Sequence, residues 1–216
     1  VNNYNGKIVF TSTCSIYGIN HDIIEEDAKP NPLSVYAKTK LEAEQYIINN
    51  YDNYLIFRLG TLFGLGDEHS RIRLDLVANV LTMKAILGEK LSVFGGEQWR
   101  PLLHVKDVST AILYSLENNI KGLYNLSYQN YTIKNIAETI KTIVPNADIV
   151  YTELNFEDLR NYKVKNDKFL KTGWCPKHSL REGIVEIKNL FNQNRIVNPK
   201  DVIYSNADYL KKNINE

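Results

Sequence analysis

Residues 7–40 run KIVFTSTCSIYGINHDIIEEDAKPNPLSVYAKTK, and the fold is read outward from them. Lys7–Ser12 is a β-rich run, nearly continuous in apolar residues, which is the pattern of a buried strand. It runs into a small patch of hydroxyl and thiol groups, Thr13-Cys14-Ser15. A loop ending in Pro30-Asn31-Pro32 then leads to a helix expected over 34–51, with Ser34 as its N-cap. On that helix Tyr36 and Lys40 are four residues apart and share a face. A free phenol ionises near pH ~10, too high for a base at neutral pH, but an ammonium within roughly 4–6 Å favours the phenolate. A strand-end hydroxyl such as Thr13, a tyrosine and a lysine together form a proton-transfer set suited to carbinol–carbonyl chemistry.

Spacing alone does not carry that reading. With 14 tyrosines in the chain, chance supplies about one Tyr-x-x-x-Lys pair, and there is one. Taken by itself, it reads sooner as a half-buried tyrosine beside a solvated lysine. The ordered context decides: FTSTCSIYG, then PLSVYAKTKLEAEQ, then YLIFRLGTLFG, then VFGGEQWRPLLHVKDVSTAI. Together these resemble the extended short-chain dehydrogenases/reductases, in the branch of NAD-dependent nucleotide-sugar epimerases and dehydratases, over roughly residues 7–193.

Composition is that of an ordinary globular protein. With 24% charged residues and a net charge of +1, nothing points to a nucleic-acid or membrane-surface partner. No apolar run reaches the roughly 18 residues of a membrane span. Cys14 and Cys175 make no disulfide framework, which suggests a reducing, cytoplasmic setting. The chain opens at Val1, immediately before a strand, and contains no Gly-x-x-Gly-x-x-Gly or Gly-x-Gly-x-x-Gly turn for a pyrophosphate. In the resembled family that turn precedes the Tyr-x-x-x-Lys helix. The expectation is therefore a carboxy-terminal two-thirds of a longer enzyme, its glycine-rich amino-terminal part absent.

Hydrophobic periods place further strands at 54–59, 91–94, 122–126 and 147–152, with 101–104 brief and extended. Helices are expected near 75–87, 105–117, 132–144, 167–172 and 179–191, and a polar, loosely held tail from Ile196. Strands alternating with helices indicate an α/β fold with a parallel sheet. The resemblance implies more: part of a Rossmann-like doubly wound sheet over 1–66, to which 101–118 returns. It also implies a smaller α/β nucleotide-sugar lobe from 67–100 and 119–193, with 194–216 as tail.

The resemblance also implies roles. Thr13, Tyr36 and Lys40 are catalytic, and Ser12, Tyr36, Lys40 and Leu59 touch the cofactor, NAD or NADP. Thr61, Asn79, Val93, Arg100 and Arg160 contact a nucleoside-diphosphate sugar, and no metal is called for. Arginine suits the diphosphate because its guanidinium fork matches phosphate oxygens two at a time. Asn79 reads either as an amide gripping the diphosphate or as a weak helix former, and Val93 either as a floor under the base or as core. Cys14 and Ser15 stand where the resembled dehydratases carry an Asp-Glu pair. Dehydration needs an acid for the leaving hydroxyl, so the departure argues against a 4,6-dehydratase. The two are either a second acid/base or small packing residues at a strand end. His104 and Asp107 read as residues that fix the turn into the next helix. Family members commonly pair as homodimers through the tyrosine helix.

Overall fold

Apolar strands set the frame in the computed structural model, which describes residues 4–152 and 161–214; the strand Tyr54–Leu59 is mostly buried, whereas the first strand, expected as buried, is mostly half-buried. In chain order the described elements are β1 (Ile8–Thr13), β2 (Ile19–Ile24), α1 (Val35–Asn50), β3 (Tyr54–Leu59) and β4 (Thr61–Phe63). Next come α2 (Val77–Ile86), β5 (Leu91–Phe94), β6 (Trp99–His104), α3 (Val105–Glu117), β7 (Gly122–Leu126) and β8 (Gln129–Thr132). The remainder are α4 (Ile133–Ile143), β9 (Ile149–Thr152), β10 (Asn161–Val164), α5 (Asp167–Leu170), α6 (Leu180–Asn192) and α7 (Asn206–Ile214).

Strands β1, β3 and β7 form one parallel sheet in the order β1-β3-β7. Residues 122–126, within the stretch 119–193 expected in the second lobe, form β7, which pairs with β3 from Leu55↔Gly122 to Leu59↔Leu126. Leu55 and Phe57 of β3 pack with Leu126 of β7, Leu103, Val108 and Ala111 around α3, and Phe169 and Trp174. A second sheet, β4-β6-β8, is parallel between β4 and β6 and antiparallel between β6 and β8. With the parallel pair β5-β9 it covers a core of α2, α4 and α6 residues, among them Leu81, Ile136, Ile140 and Ile184. The chain is thus an α/β fold built on parallel pairing.

Helix starts follow local chemistry. The Ser34 hydroxyl accepts the Ala37 amide at 3.1 Å, as the N-cap reading expects. Capping boxes open α4 (Thr132 with Asn135) and α6 (Ser179 with Glu182). At Gly64, φ is 78° and a Cβ would overlap the His104 ring, so the loop after β4 lies against the start of α3 only because the residue is glycine.

The tail differs from its expectation. A polar, Asn- and Lys-rich stretch reads as loosely held, yet Ile196 is buried and packs with Leu74, Ile187 and Leu190, with Tyr204 against the same cluster. The Leu74 amide donates to the Tyr204 carbonyl at 2.9 Å. A few apolar anchors and one backbone hydrogen bond seat a segment whose average composition hides them.

Candidate active site

Strands β1 and β3 run side by side, with Ser12 opposite Arg58 and Thr13 opposite Leu59. Both therefore end at the carboxyl edge of the sheet, where open α/β sheets receive ligands. A cleft of about 380 Å³ lies there. Six expected site residues line it: Ser12, Thr13, Ser15, Tyr36, Leu59 and Thr61. Gly60, Leu62, Arg73, Leu76, Tyr162 and Asn206 complete the wall.

Thr13 caps a single 3-10 turn, Cys14–Tyr17. Its hydroxyl accepts the Ser15 amide at 3.2 Å and lies 2.9 Å from the Ser15 hydroxyl, so one proton is shared along a short pair. Tyr36 is 56% exposed and open to a ligand. Lys40, one turn on, reaches back to the sheet: Nζ donates to the Thr11 carbonyl at 2.7 Å, sits 4.7 Å from the Phe10 ring centroid and 6.0 Å from that of Tyr36. The β1 carbonyl thus holds the ammonium on the tyrosine's side of the helix. The Ser12 hydroxyl, at the cleft wall, is buried with no hydrogen-bond partner among the described residues.

Other expected residues lie elsewhere. Cys14 is fully buried behind the turn, its thiol donating to the Arg58 carbonyl at 3.1 Å. Burial pushes that thiol well above its usual range, and it is outside the cleft. The Asn79 amide accepts from the Gly64 amide at 3.0 Å and donates to the Gly64 and Arg73 carbonyls, at 3.2 and 2.8 Å, which ties down the loop between β4 and α2. Val93 is fully buried in β5. Arg100 is 4% exposed in β6 and donates to the Trp99 carbonyl at 2.8 Å. Arg160 lies outside the described residues.

Six wall residues escaped sequence reading, among them the polar side chains Arg73, Tyr162 and Asn206. The Arg71-Ile72-Arg73 alternation after a glycine loop is a local sign for the first. Tyr162 and Asn206 arrive from distant parts of the chain and carry none.

His104 and Asp107 do fix the start of α3. The Lys106 amide donates to His104 Nδ1 at 3.2 Å, so the ring proton sits on Nε2 and donates to Glu186 at 2.9 Å. Asp107 accepts the Lys177 and His178 amides at 3.1 Å each and pairs with His178 Nδ1 at 2.7 Å. Burial opposes the charge on Glu186, but hydrogen bonds from His104, Lys106 (2.6 Å) and the Leu65 amide (3.0 Å) outweigh it and hold the carboxyl at about 2. A carboxyl depressed on folding stabilises above its unfolded value and loses that contribution as pH falls through the folded one. Up to about 3 kcal/mol of stability should therefore fade between pH ~4.5 and ~2. Urea melts of wild type and Glu186→Gln across that window check it, and the gap between the two should close as the pH drops. A gap that stays constant contradicts the assignment.

Comparison with known proteins gives the family. Residues 1–127, more than half the chain, match the NAD dependent epimerase/dehydratase family. The chain belongs to that family. It is 28% identical over 125 residues to methionine adenosyltransferase 2 subunit beta of Xenopus tropicalis, covering 56% of this chain and 36% of that protein. The UDP-glucose 4-epimerase of Thermotoga maritima, solved with UDP-glucose, superposes with a TM-score of 0.73 at 26% identity, over 88% of this chain and 64% of that one. The UDP-glucuronic acid 4-epimerase of Bacillus cereus, solved with UDP-glucuronic acid and NAD, gives 0.73 at 25% identity, again over 88% and 64%. The chain spans less than half the length of the curated relatives, 36% to 46%.

The family match corrects one expectation. The chain was read as a carboxy-terminal piece lacking its amino-terminal part, on the strength of a missing glycine-rich turn. The match instead begins at residue 1, and β1 takes its place in the parallel sheet beside β3. Among the described residues, no helix is long and apolar enough to cross a membrane.

Proposed function

We propose that the cleft binds a nucleoside-diphosphate sugar beside the nicotinamide of NAD or NADP, and that the protein is a nucleotide-sugar epimerase. The observation that carries this reading is the meeting of Thr13, Ser15, Tyr36, Leu59 and Thr61 around one cleft, with Lys40 one helical turn behind Tyr36. The relatives solved with UDP-glucose and with UDP-glucuronic acid and NAD support the choice of ligand class. The unpartnered, buried Ser12 hydroxyl suits a polar group of a bound cofactor, since a buried hydroxyl without a partner is costly. When bound, the nicotinamide supplies the hydride chemistry.

The chain's own residues do the rest. As the phenolate Tyr36 takes the carbinol proton and as the phenol it returns it, while the Lys40 ammonium lends positive charge to the phenolate form. Thr13 and Ser15, joined by their hydroxyl pair, orient the reacting oxygen. Arg100 and Arg160 belong to the same reading as diphosphate contacts, Thr61 as a sugar contact, and the β1-β3-β7 sheet as the cofactor side of the molecule.

A second reading has one observation in its favour: relatives named as a subunit of methionine adenosyltransferase. On that reading the cleft binds a nucleotide ligand without turning it over. Calorimetric titration with UDP-glucose, UDP-glucuronic acid and NAD, followed by product analysis, separates the two. Binding with interconversion of sugar epimers and no net cofactor reduction supports the epimerase. Net reduction of the supplied NAD points to a one-way oxidoreductase, such as a ketoreductase run in reverse, and binding without product to the subunit reading.

A further inference from the structure

Arg73 is the one charged side chain in the cleft wall among the described residues. Its orientation is fixed: Nε donates to Asp75 Oδ1 and Nη2 to Asp75 Oδ2, both at 2.9 Å. Asp75 Oδ2 also accepts the backbone amide of Asn206 at 2.8 Å. Asn206 is the first residue of α7 and itself lines the cleft. The group that orients the arginine is thus oriented in turn by the carboxy-terminal segment, 131 residues further along the chain.

The segment has independent anchors on the same loop. Tyr204 accepts the Leu74 amide, and Ile196 is buried against Leu74. The Arg71 guanidinium lies 4.8 Å from the Tyr209 ring centroid. From the other side, Asn79 donates to the Arg73 carbonyl at 2.8 Å. An arginine held in this way has lost its rotamer freedom before any ligand arrives, which reduces the entropy cost of binding. Its Nη1 edge makes no hydrogen bond among the described residues. A guanidinium with one face on a carboxylate retains donors for a second oxyanion.

We infer that residues 196–214 are a working part of the cleft: through the Asn206 amide and Asp75 they hold Arg73 to bind an oxyanion of the substrate. The inference rests on the nucleotide-sugar reading above. The oxyanion is a phosphoryl oxygen of the nucleoside diphosphate or the carboxylate of a uronic sugar. Arg73 is the binding residue, and Asp75 and Asn206 are positioning residues.

Asn206→Pro tests the route directly. Proline suits the first position of a helix, where its missing N–H and fixed φ are tolerated. Ser205 before it is already extended, at φ −121° and ψ 126°, as a residue preceding proline requires. The measurement is calorimetric affinity for uridine, UDP, UDP-glucose and UDP-glucuronic acid. Arg73→Gln, Asp75→Asn and Asn206→Pro should each weaken binding of a charged ligand about tenfold or more, with uridine unaffected and Arg73→Lys recovering part of the loss. Asn206→Ala, which keeps the amide, should lose less than Asn206→Pro. Weakening that includes UDP identifies a phosphoryl oxygen, and weakening confined to UDP-glucuronic acid identifies a carboxylate. Wild-type affinities in Arg73→Gln and Asn206→Pro overturn the inference while leaving the nucleotide-sugar reading in place. Equal losses in Asn206→Ala and Asn206→Pro overturn the backbone route. A wild-type protein that binds none of the four ligands overturns both readings. Should Asn206→Pro fail to fold, Asp75→Asn and Arg73→Gln carry the same test.

Discussion

Tyr36→Phe is expected to lower turnover about 100- to 10,000-fold, the usual range for losing a positioned general acid–base group, while leaving UDP-glucose affinity within about threefold of wild type. The separation follows from geometry. Tyr36 is more than half exposed on α1, so removing its hydroxyl leaves no cavity and strands no buried partner. The helix start depends on Ser34, and the Lys40 ammonium is held by the Thr11 carbonyl rather than by the phenol. Removing the hydroxyl should therefore deprive the cleft of its proton carrier and little else. Steady-state rates with UDP-glucose and NAD, set beside calorimetric affinities, check it. A variant that keeps more than half the wild-type rate would rule Tyr36 out as the acid–base group.

The second large effect concerns stability. Glu44→Ala should destabilise the protein by about 3–5 kcal/mol, because it leaves Arg58 charged and buried without its counter-ion. Glu44 is fully buried and Arg58 6% exposed. The guanidinium donates to both carboxylate oxygens, with Nη2 at 2.8 Å from Oε2, and Nη1 donates to the Tyr17 hydroxyl and the Glu26 carbonyl, both at 2.9 Å. Tyr17 donates in turn to Asn125 at 2.7 Å. The network joins α1, the turn after β1, β3 and β7, so it fixes the tyrosine helix relative to the sheet. Replacing Glu44 and Arg58 together by methionine should recover most of the loss, because no uncompensated charge then remains inside. Thermal melts should fall by on the order of 10 °C for the single variant. A shift of only a degree or two would mean that water reaches the guanidinium.

The two effects also mark what the sequence revealed. Strand β1 was expected over 7–12 and occupies Ile8–Thr13, and α1 begins after the expected N-cap. Both are set by local signals, an apolar run and a capping serine. The short strands β2, β4, β8 and β10 were not visible. Ile19–Ile24 is mostly exposed and does not alternate, and its partner β10 comes from a distant part of the chain. In sequence YLIFRLG reads only as part of a motif; the buried charge at Arg58 has its partner, Glu44, on a helix face chosen by packing. Cys14 follows Thr13 in sequence, yet the tight turn after β1 directs one residue to the cleft and the other to the core. Arg73 and Asn206 meet only because the tail folds back, which no local pattern announces.

The most direct test of the central claim follows the hydride itself. The protein is incubated with NAD and UDP-glucose carrying deuterium at the reacting sugar carbon, and the sugars are analysed by NMR. The account predicts that both epimers appear with the label retained, no reduced cofactor accumulates, and Tyr36→Phe gives neither. Label lost to water, or epimers formed as fast by Tyr36→Phe as by wild type, would contradict it.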